Sequence, residues 1–376
     1  MVGIYKTSYG KKIVNMRICL IGNSGYLSND KGGQTTKLRL YKKKIEDEGF
    51  DLFFVDLERF FHRFLNVFKE IKQGVKACDR IVLISGERAC RLFVPYINKL
   101  NKKYRKQFIL PVVGSGLLHF SIDHLSNEDQ YKFFAEKDFS KAKKCKKIRK
   151  ELSKIDYILP ETKILMEAYK KFYSLSNCFV LNNFRDNNNI INNKVEKCGN
   201  LKAIYLSRVM RIKGIFDLLH IVNKISDIRL DIYGSLELDD DDTKRFYELI
   251  NDKVRYLGPV ENDKVINTFN KYDLLIFPSR CSYEGVPGVI SESLIAGTPI
   301  LSSDFPNAKC ILKDSYNSVF YEMFDVDDLE AKLEWCINNK DKIRSMRDNC
   351  LESAKKFTYE YNRKEFLKYV CGVEDE

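Results

Sequence analysis

Apolar residues along this chain fall into short runs separated by longer amphipathic stretches. In the first half the runs at 17–22, 50–55, 81–85, 108–113, 157–159 and 178–181 have the length and composition of buried strands. Between them lie helical patterns such as 34–48 and 92–103. An Asn-rich, weakly apolar stretch around 182–200 interrupts the alternation. It then restarts with strand-like runs at 203–206, 230–233, 254–257, 274–277, 300–303 and 319–321, and the chain closes on helical patterns at 327–339, 340–356 and 359–370. Strands alternating with helices, twice over, predict an α/β protein with two doubly wound parallel sheets. A ligand cleft is then expected between the domains, at the carboxyl edges of the strands. The expected boundaries are 1–185 for the first domain, 186–199 for a linker and 200–356 for the second.

One stretch, 282–298, carries the most chemistry. It follows the apolar run 274–277 and reads as a loop feeding a helix. Gly285 and Gly288 let backbone approach a ligand closely. Pro287 suits the first helical position, and Gly297 the C-terminal cap. A helix N-terminus at the end of a strand offers free N–H groups and a positive dipole end to an anion. Glu284 in the loop and Glu292 one turn into the helix are placed to accept hydrogen bonds from hydroxyls, as on sugars and riboses. Read alone, the two acids are equally well solvated charges on an ordinary loop and helix.

The stretch 203–214 opens the second half as strand, loop and helix start, with Arg208 and Lys213 positioned to grip a diphosphate or simply to face solvent. Together the two stretches resemble the retaining family-four glycosyltransferases of the GT-B fold. Glu284-x7-Glu292 with the intervening Gly-Val-Pro-Gly and trailing Ala-Gly-Thr-Pro resembles their signature, and Arg208 and Lys213 match their diphosphate-binding pair, with Ser207 where a Gly is common.

The resemblance implies a GT-B fold, two Rossmann-like domains facing each other across a cleft, with 357–376 packing back on the first. It implies that Glu284 contacts the transferred sugar and Glu292 the ribose. Arg208, Lys213 and the backbone of Gly285, Val286, Gly288 and Val289 would hold the diphosphate, and Tyr256 and Leu257 would line the base pocket. In the first half Gly32 and Gly33 resemble the family's glycine pair, at the acceptor or phosphate loop. His119 is the candidate catalytic histidine near the reacting sugar, with His124 second; a structural role fits either as well.

The 376 residues carry a formal charge of +12, which favours anionic partners. No nucleic-acid signature appears. Eleven cysteines without a Cys-x-x-Cys pair argue against a disulfide framework or zinc site and fit a cytoplasmic protein. No apolar run is long enough to span a membrane, and the first fifteen residues lack the features of a signal peptide, so Met16 is an alternative start to Met1. The run Asp239–Asp242 reads as a helix cap rather than a metal motif. Phe61, Phe64, Leu65, Phe68 and Ile71 form a helical stripe, and 141–154 is a basic run; an anionic membrane surface would suit both, although a core role fits the stripe.

The expected function is transfer of a sugar from a UDP- or GDP-linked donor, with no cofactor or metal, to a glycan or polyprenyl-diphosphate-linked acceptor in surface-polysaccharide or lipopolysaccharide synthesis. The expected place is the cytoplasm, or the inner face of the plasma membrane as a peripheral protein. A nucleotide-sugar epimerase and a non-catalytic nucleotide-sugar-binding assembly subunit are the alternatives.

Overall fold

The computed structural model describes residues 5–6, 12–13, 16–28, 32–58, 60–186 and 199–374. Most of the expected linker, the question of the start and Asn29 to Lys31 lie outside them. The chain divides into two compact units, Met1–Asp186 with Tyr359–Glu376, and Asn187–Thr358.

Beyond a short hairpin, the first unit runs β1 (Arg17–Gly22), α1 (Gly33–Asp47), β2 (Asp51–Asp56), α2 (Phe64–Ala77), β3 (Arg80–Ile84), α3 (Glu87–Tyr104), β4 (Gln107–Pro111), α4 (Asn127–Ala135), α5 (Lys146–Leu152), β5 (Tyr157–Leu159) and α6 (Lys163–Tyr173). Its five strands pair in parallel in the order β2-β1-β3-β4-β5. The order reverses between β1 and β3, which leaves a crevice at the carboxyl ends of those strands.

The second unit runs β6 (Leu201–Leu206), α7 (Ile215–Lys224), β7 (Ile228–Tyr233), α8 (Asp240–Glu248), β8 (Val254–Tyr256), α9 (Val265–Phe269), β9 (Leu274–Phe277), α10 (Gly288–Ile295), β10 (Ile300–Ser303), α11 (Ala308–Ile311), β11 (Ser318–Tyr321), α12 (Val326–Asn338), α13 (Lys340–Ser345) and α14 (Arg347–Ala354). Its sheet is parallel in the order β8-β7-β6-β9-β10-β11, with the reversal between β6 and β9. β9 and β10 are buried at every residue, as central parallel strands covered on both faces must be.

Two expectations change. The run 178–181 is not a strand: Cys178 makes a single bridge to Ile158, and the segment otherwise lies as irregular chain. The pattern 340–356 is not one helix but α13 and α14, broken at Met346, whose buried side chain takes the corner.

The chain's end belongs to the first unit. α15 (Tyr359–Phe366) and the π turn after it bury Phe366, Val370 and Cys371 against Ile18, Tyr41, Val82 and Phe184. Tyr41 and Phe366 pack edge to face at 5.1 Å, and Phe184 and Phe366 at 5.6 Å. Polar contacts fix the register. Arg363 is bidentate to Glu48 at 2.7 and 2.6 Å, and Arg80 donates to the carbonyls of Val370 and Tyr369 at 2.9 and 2.7 Å. Because Phe366 is fully buried among large rings, Phe366→Ala is expected to destabilise the first unit by about 3–5 kcal/mol. Urea unfolding followed by tyrosine fluorescence checks this, and a loss below about 1 kcal/mol would mean that α15 contributes little to the unit.

Candidate functional site: the switch point of the second unit

Two crossover loops meet where the strand order reverses, the one after β6 and the one after β9. Their backbones touch. A Cβ on Gly214 would stand 1.9 Å from the Pro278 carbonyl oxygen, and Gly214 has φ +72°, so only glycine fits. Gly234 closes the neighbouring loop in the same way, its Cβ position 1.8 Å from the Ser207 carbonyl oxygen at φ +141°. This crowding carries Lys213, the residue before Gly214, onto the β9–α10 loop.

There Lys213 Nζ forms an ion pair with Glu284 Oε1, both side chains nearly buried. Ser279 Oγ donates to the same Oε1 at 2.9 Å, and Asn307 Nδ2 holds the Glu284 carbonyl at 2.6 Å. Arg208 is exposed and meets Glu237 Oε2 at 3.2 Å. Its field reaches the same loop. Burial, then Cys281 and Glu284, push the Tyr283 hydroxyl up, and Arg208 opposes them. Lys213 likewise opposes the upward shift that burial and Glu284 impose on the Cys281 thiol. Two cations and the Glu284 carboxylate therefore act on Cys281 and Tyr283.

α10 begins at Gly288, with Pro287 as its N-cap at ψ 129° rather than its first helical residue. The expectation placed the proline one position too far in, because a cap and a first turn share its φ of −58° and differ only in ψ. Gly285 and Val286 are buried beneath the helix start, while Gly288 and Val289 are partly exposed in its first turn. Intrahelical bonding leaves first-turn N–H groups to find partners elsewhere. Ser291, Ser293, Leu294 and Ile295 are buried, and Glu292 alone in that run is partly exposed. Gly297 is the residue after the cap. Its N–H bonds to Leu294 O at 3.0 Å and that of Thr298 to Ser293 O at 2.8 Å, a Schellman ending.

At the neighbouring strand ends the side chains of Tyr256 and Leu257 part company. Tyr256 packs its ring on Phe246 and donates its hydroxyl to Gly234 O at 2.9 Å, so it supports the Gly234 turn. Leu257 is exposed, with its N–H on Ile232 O at 2.9 Å. Asp239 caps α8 through the Asp242 N–H at 2.8 Å, and Asp242 also pairs with Arg211, which engages this acidic run in folding contacts.

The first unit holds the remaining candidates. Gly32 caps α1 at φ −60°, and a Cβ on Gly33 would meet nothing within 4 Å. Among the described residues, then, no neighbour requires glycine at Gly33. His119 lies in a 3-10 turn after β4, with Nδ1 3.3 Å from Glu87 Oε2, while the other oxygen of Glu87 accepts the Phe120 N–H at 2.6 Å. The hydrogen bond to Glu87 is the main cause that raises the His119 pKa; burial opposes it, and the charges of Glu87 and Asp123 add to it. His124 instead turns Nε2 to the Lys141 carbonyl at 3.2 Å, a structural tie.

Glu87, Ser279 and Asn307 were not singled out in the sequence. Each follows a strand's carboxyl end, a position that could have flagged it, but nothing in the local pattern says which distant group it meets. The Glu87 contact gives a direct test. Replacing Glu87 by Gln removes the carboxylate that favours imidazolium, so the His119 pKa should fall. The chain has four histidines, so NMR titration of their ring signals resolves each one. In the wild type the raised folded pKa means that the Glu87–His119 bond stabilises fully below the ordinary imidazole value of 6.5, and that this contribution is lost as pH rises through the folded value. An unchanged His119 titration in the variant would refute the assignment.

Comparison with known proteins follows the same division. Residues 186–357 match the family described as Glycosyl transferases group 1. A curated relative from Campylobacter jejuni, the GalNAc-alpha-(1->4)-GalNAc-alpha-(1->3)-diNAcBac-PP-undecaprenol alpha-1,4-N-acetyl-D-galactosaminyltransferase, is 31% identical over 125 residues, 33% of each chain. An uncharacterized glycosyltransferase of Methanocaldococcus jannaschii is 29% identical over 120 residues, 32% of each. The chain thus spans about a third of the length of the curated relatives it matches. Among solved structures, Anabaena HepE in complex with UDP superposes with a TM-score of 0.70 at 14% identity, covering 95% of this chain and 100% of that one. The lipopolysaccharide outer core galactosyltransferase WaaB superposes with a TM-score of 0.65 at 19% identity, covering 95% and 99%. The chain as a whole has the GT-B fold, and its residues 186–357 are similar to the glycosyl transferases group 1 family.

Proposed function

We propose that this protein is a retaining glycosyltransferase that moves a sugar from a UDP- or GDP-linked donor to a glycan or polyprenyl-diphosphate-linked acceptor in surface-polysaccharide synthesis. The observation that carries the reading is the meeting of Lys213 and Glu284 at the switch point, with the charge of Arg208 on the same loop. The curated Campylobacter relative, whose name describes an undecaprenol-diphosphate-linked acceptor, supports the acceptor class.

On this reading the diphosphate lies against Arg208, Lys213 and the first turn of α10, and Glu292 takes the ribose hydroxyls. Tyr256 acts on the base pocket through the Gly234 turn, with Leu257 at its rim. Glu284 accepts hydrogen bonds from the transferred sugar while Ser279 and Asn307 hold it in place. The bond from the sugar's anomeric carbon to the diphosphate oxygen breaks, and a bond from the acceptor oxygen to that carbon forms on the same face. The acceptor's proton passes to the departing diphosphate. Negative charge grows on that oxygen, and two cations with a helix N-terminus stabilise it without a metal. In the first unit, Gly33 gives room for close approach and protonated His119 serves as a donor rather than a base. The protein acts in the cytoplasm or at the inner face of the plasma membrane.

Three variants test the reading in a donor-binding and transfer assay with and without a chelator. Arg208→Ala, an exposed position, should lower kcat by about 10²–10³-fold. Glu284→Gln should bind the donor and lose transfer. Lys213→Met should lose donor affinity, with a melting control because it leaves Glu284 without its cation. Full transfer by Arg208→Ala would remove the diphosphate site from this edge. Conversion of the donor to an isomeric nucleotide sugar without acceptor would favour the epimerase.

A further inference from the structure

The helices on one side of the first sheet hold much of the protein's positive charge. α2 packs on β1, β2 and β3, α3 lies beside α2, and α5 lies beside α3. These three helices contain twelve Lys and Arg against three Glu. Their charge is ordered. On α2, Leu65, Lys69, Lys72 and Lys76 recur at spacings of four, three and four and are all exposed. On α3, Arg88, Leu92, Tyr96, Lys99 and Lys103 recur likewise, all exposed except the half-buried Tyr96. Val67, Ile71, Val75, Phe93, Val94 and Ile97 supply the buried faces of the same helices. The helical stripe read from the sequence is therefore divided: Ile71 is core and Phe68 half-buried, while its first turn stands in solvent.

Near the start of each helix the outward stripe is apolar. Leu65 is 72% exposed, Phe64 47% and Leu92 43%. They are joined by packed rings, since Phe68 lies 4.9 Å from Phe64 and 4.7 Å from Tyr96, one turn on from Leu92. The Tyr96 hydroxyl donates to the Phe68 carbonyl at 3.1 Å, which pins α3 to α2 at this point. The surface is thus a fixed apolar patch bordered by lysines. The only acid on α2, Glu70, is taken up by Arg63 at 2.5 Å, and Glu87 of α3 by His119 and Phe120.

We propose that this α2–α3 face docks on an anionic lipid bilayer, with Leu65, Leu92 and the Phe64 ring entering the headgroup region and the lysine stripes lying on lipid phosphates. Exposed aliphatic side chains gain nothing from the phosphate backbone of a nucleic acid but are withdrawn from water at a bilayer surface, while long lysine stems lie along the interface with their charges at headgroup level. The basic run leading into α5, with Lys143, Lys144, Lys146 and Lys147 exposed, extends the same charge beside α3. The proposal goes beyond the transferase reading and can fail while that reading stands, because binding is measured without a donor.

The test is flotation of the full chain with vesicles of phosphatidylcholine alone and of equal parts phosphatidylcholine and phosphatidylglycerol, at low and high salt. The wild type should float with the anionic vesicles only, and less at high salt. The double variant Leu65→Ser/Leu92→Ser and the triple variant Lys69→Glu/Lys72→Glu/Lys99→Glu should each reduce partition about tenfold or more. All these positions are exposed, so both variants should melt as the wild type does. Equal flotation with neutral vesicles overturns the proposal, as does partition indifferent to both variants. Retention of a homopolymeric RNA through the same lysines, with no partition on vesicles, replaces the bilayer by a nucleic acid.

Discussion

The second unit depends on how closely two crossover loops approach each other at the sheet's reversal. Gly214 under the Pro278 carbonyl sets that distance, and a side chain there would push the loops apart. Because Lys213 is covalently next to Gly214, the same packing places a cation against Glu284. Neither charge is well solvated, so each relies on the other. Removing one partner of such a pair costs more than the pair contributes, since the survivor is left without compensation. Ser279 and Asn307 add neutral hydrogen bonds to Glu284, one at its carboxylate and one at its backbone carbonyl.

The first unit spends its polar groups on holding loops at the corresponding edge. Glu58 accepts from the Leu27 N–H at 2.9 Å and from the Ser28 N–H and hydroxyl, both at 2.7 Å, and Asp56 holds Ser24 through its N–H at 3.1 Å. Burial would raise the Glu58 pKa, but these bonds outweigh it and hold it at about 2. Tyr26 and Leu27 are consequently presented to solvent from a loop that is tied down from within. Deeper in, Lys37 and Glu161 pair at 2.9 Å with 2% and 1% of their side chains exposed, and Lys37 also donates to Val112 O at 3.0 Å. That pair joins α1 to the loops after β4 and β5, so the edge carrying His119 and the edge carrying Gly33 are parts of one framework.

Much of the architecture was legible because buried parallel strands leave a simple trace. The runs 274–277 and 300–303 are strands at those positions, since a strand covered on both faces must be apolar throughout and turn residues bound it. Asp239 was readable as a cap because its partner, the N–H three residues on, is local. Errors arose where the deciding partner was distant. The run 178–181 has strand composition, but beyond the bridge at Cys178 it adds only the Leu181 N–H on Pro160 O, past the end of β5. The stripe from Phe61 to Ile71 has one hydrophobic periodicity, and the packing of α3 alone decides where core ends and exposed surface begins; Phe61 itself lies outside the described side chains.

By itself the sequence determined the element types, the two-sheet plan and the chemical identity of Glu284, Glu292, Arg208 and Lys213, because local periodicity and short motifs are properties of neighbouring residues. Only the tertiary structure decided that Lys213 faces Glu284 from 71 positions away and that Glu87 governs His119 from 32. It likewise decided that the cations of α2, α3 and α5 share one side of a sheet. Those outcomes depend on which strands become neighbours, and strand order is fixed by long-range packing that no local pattern records.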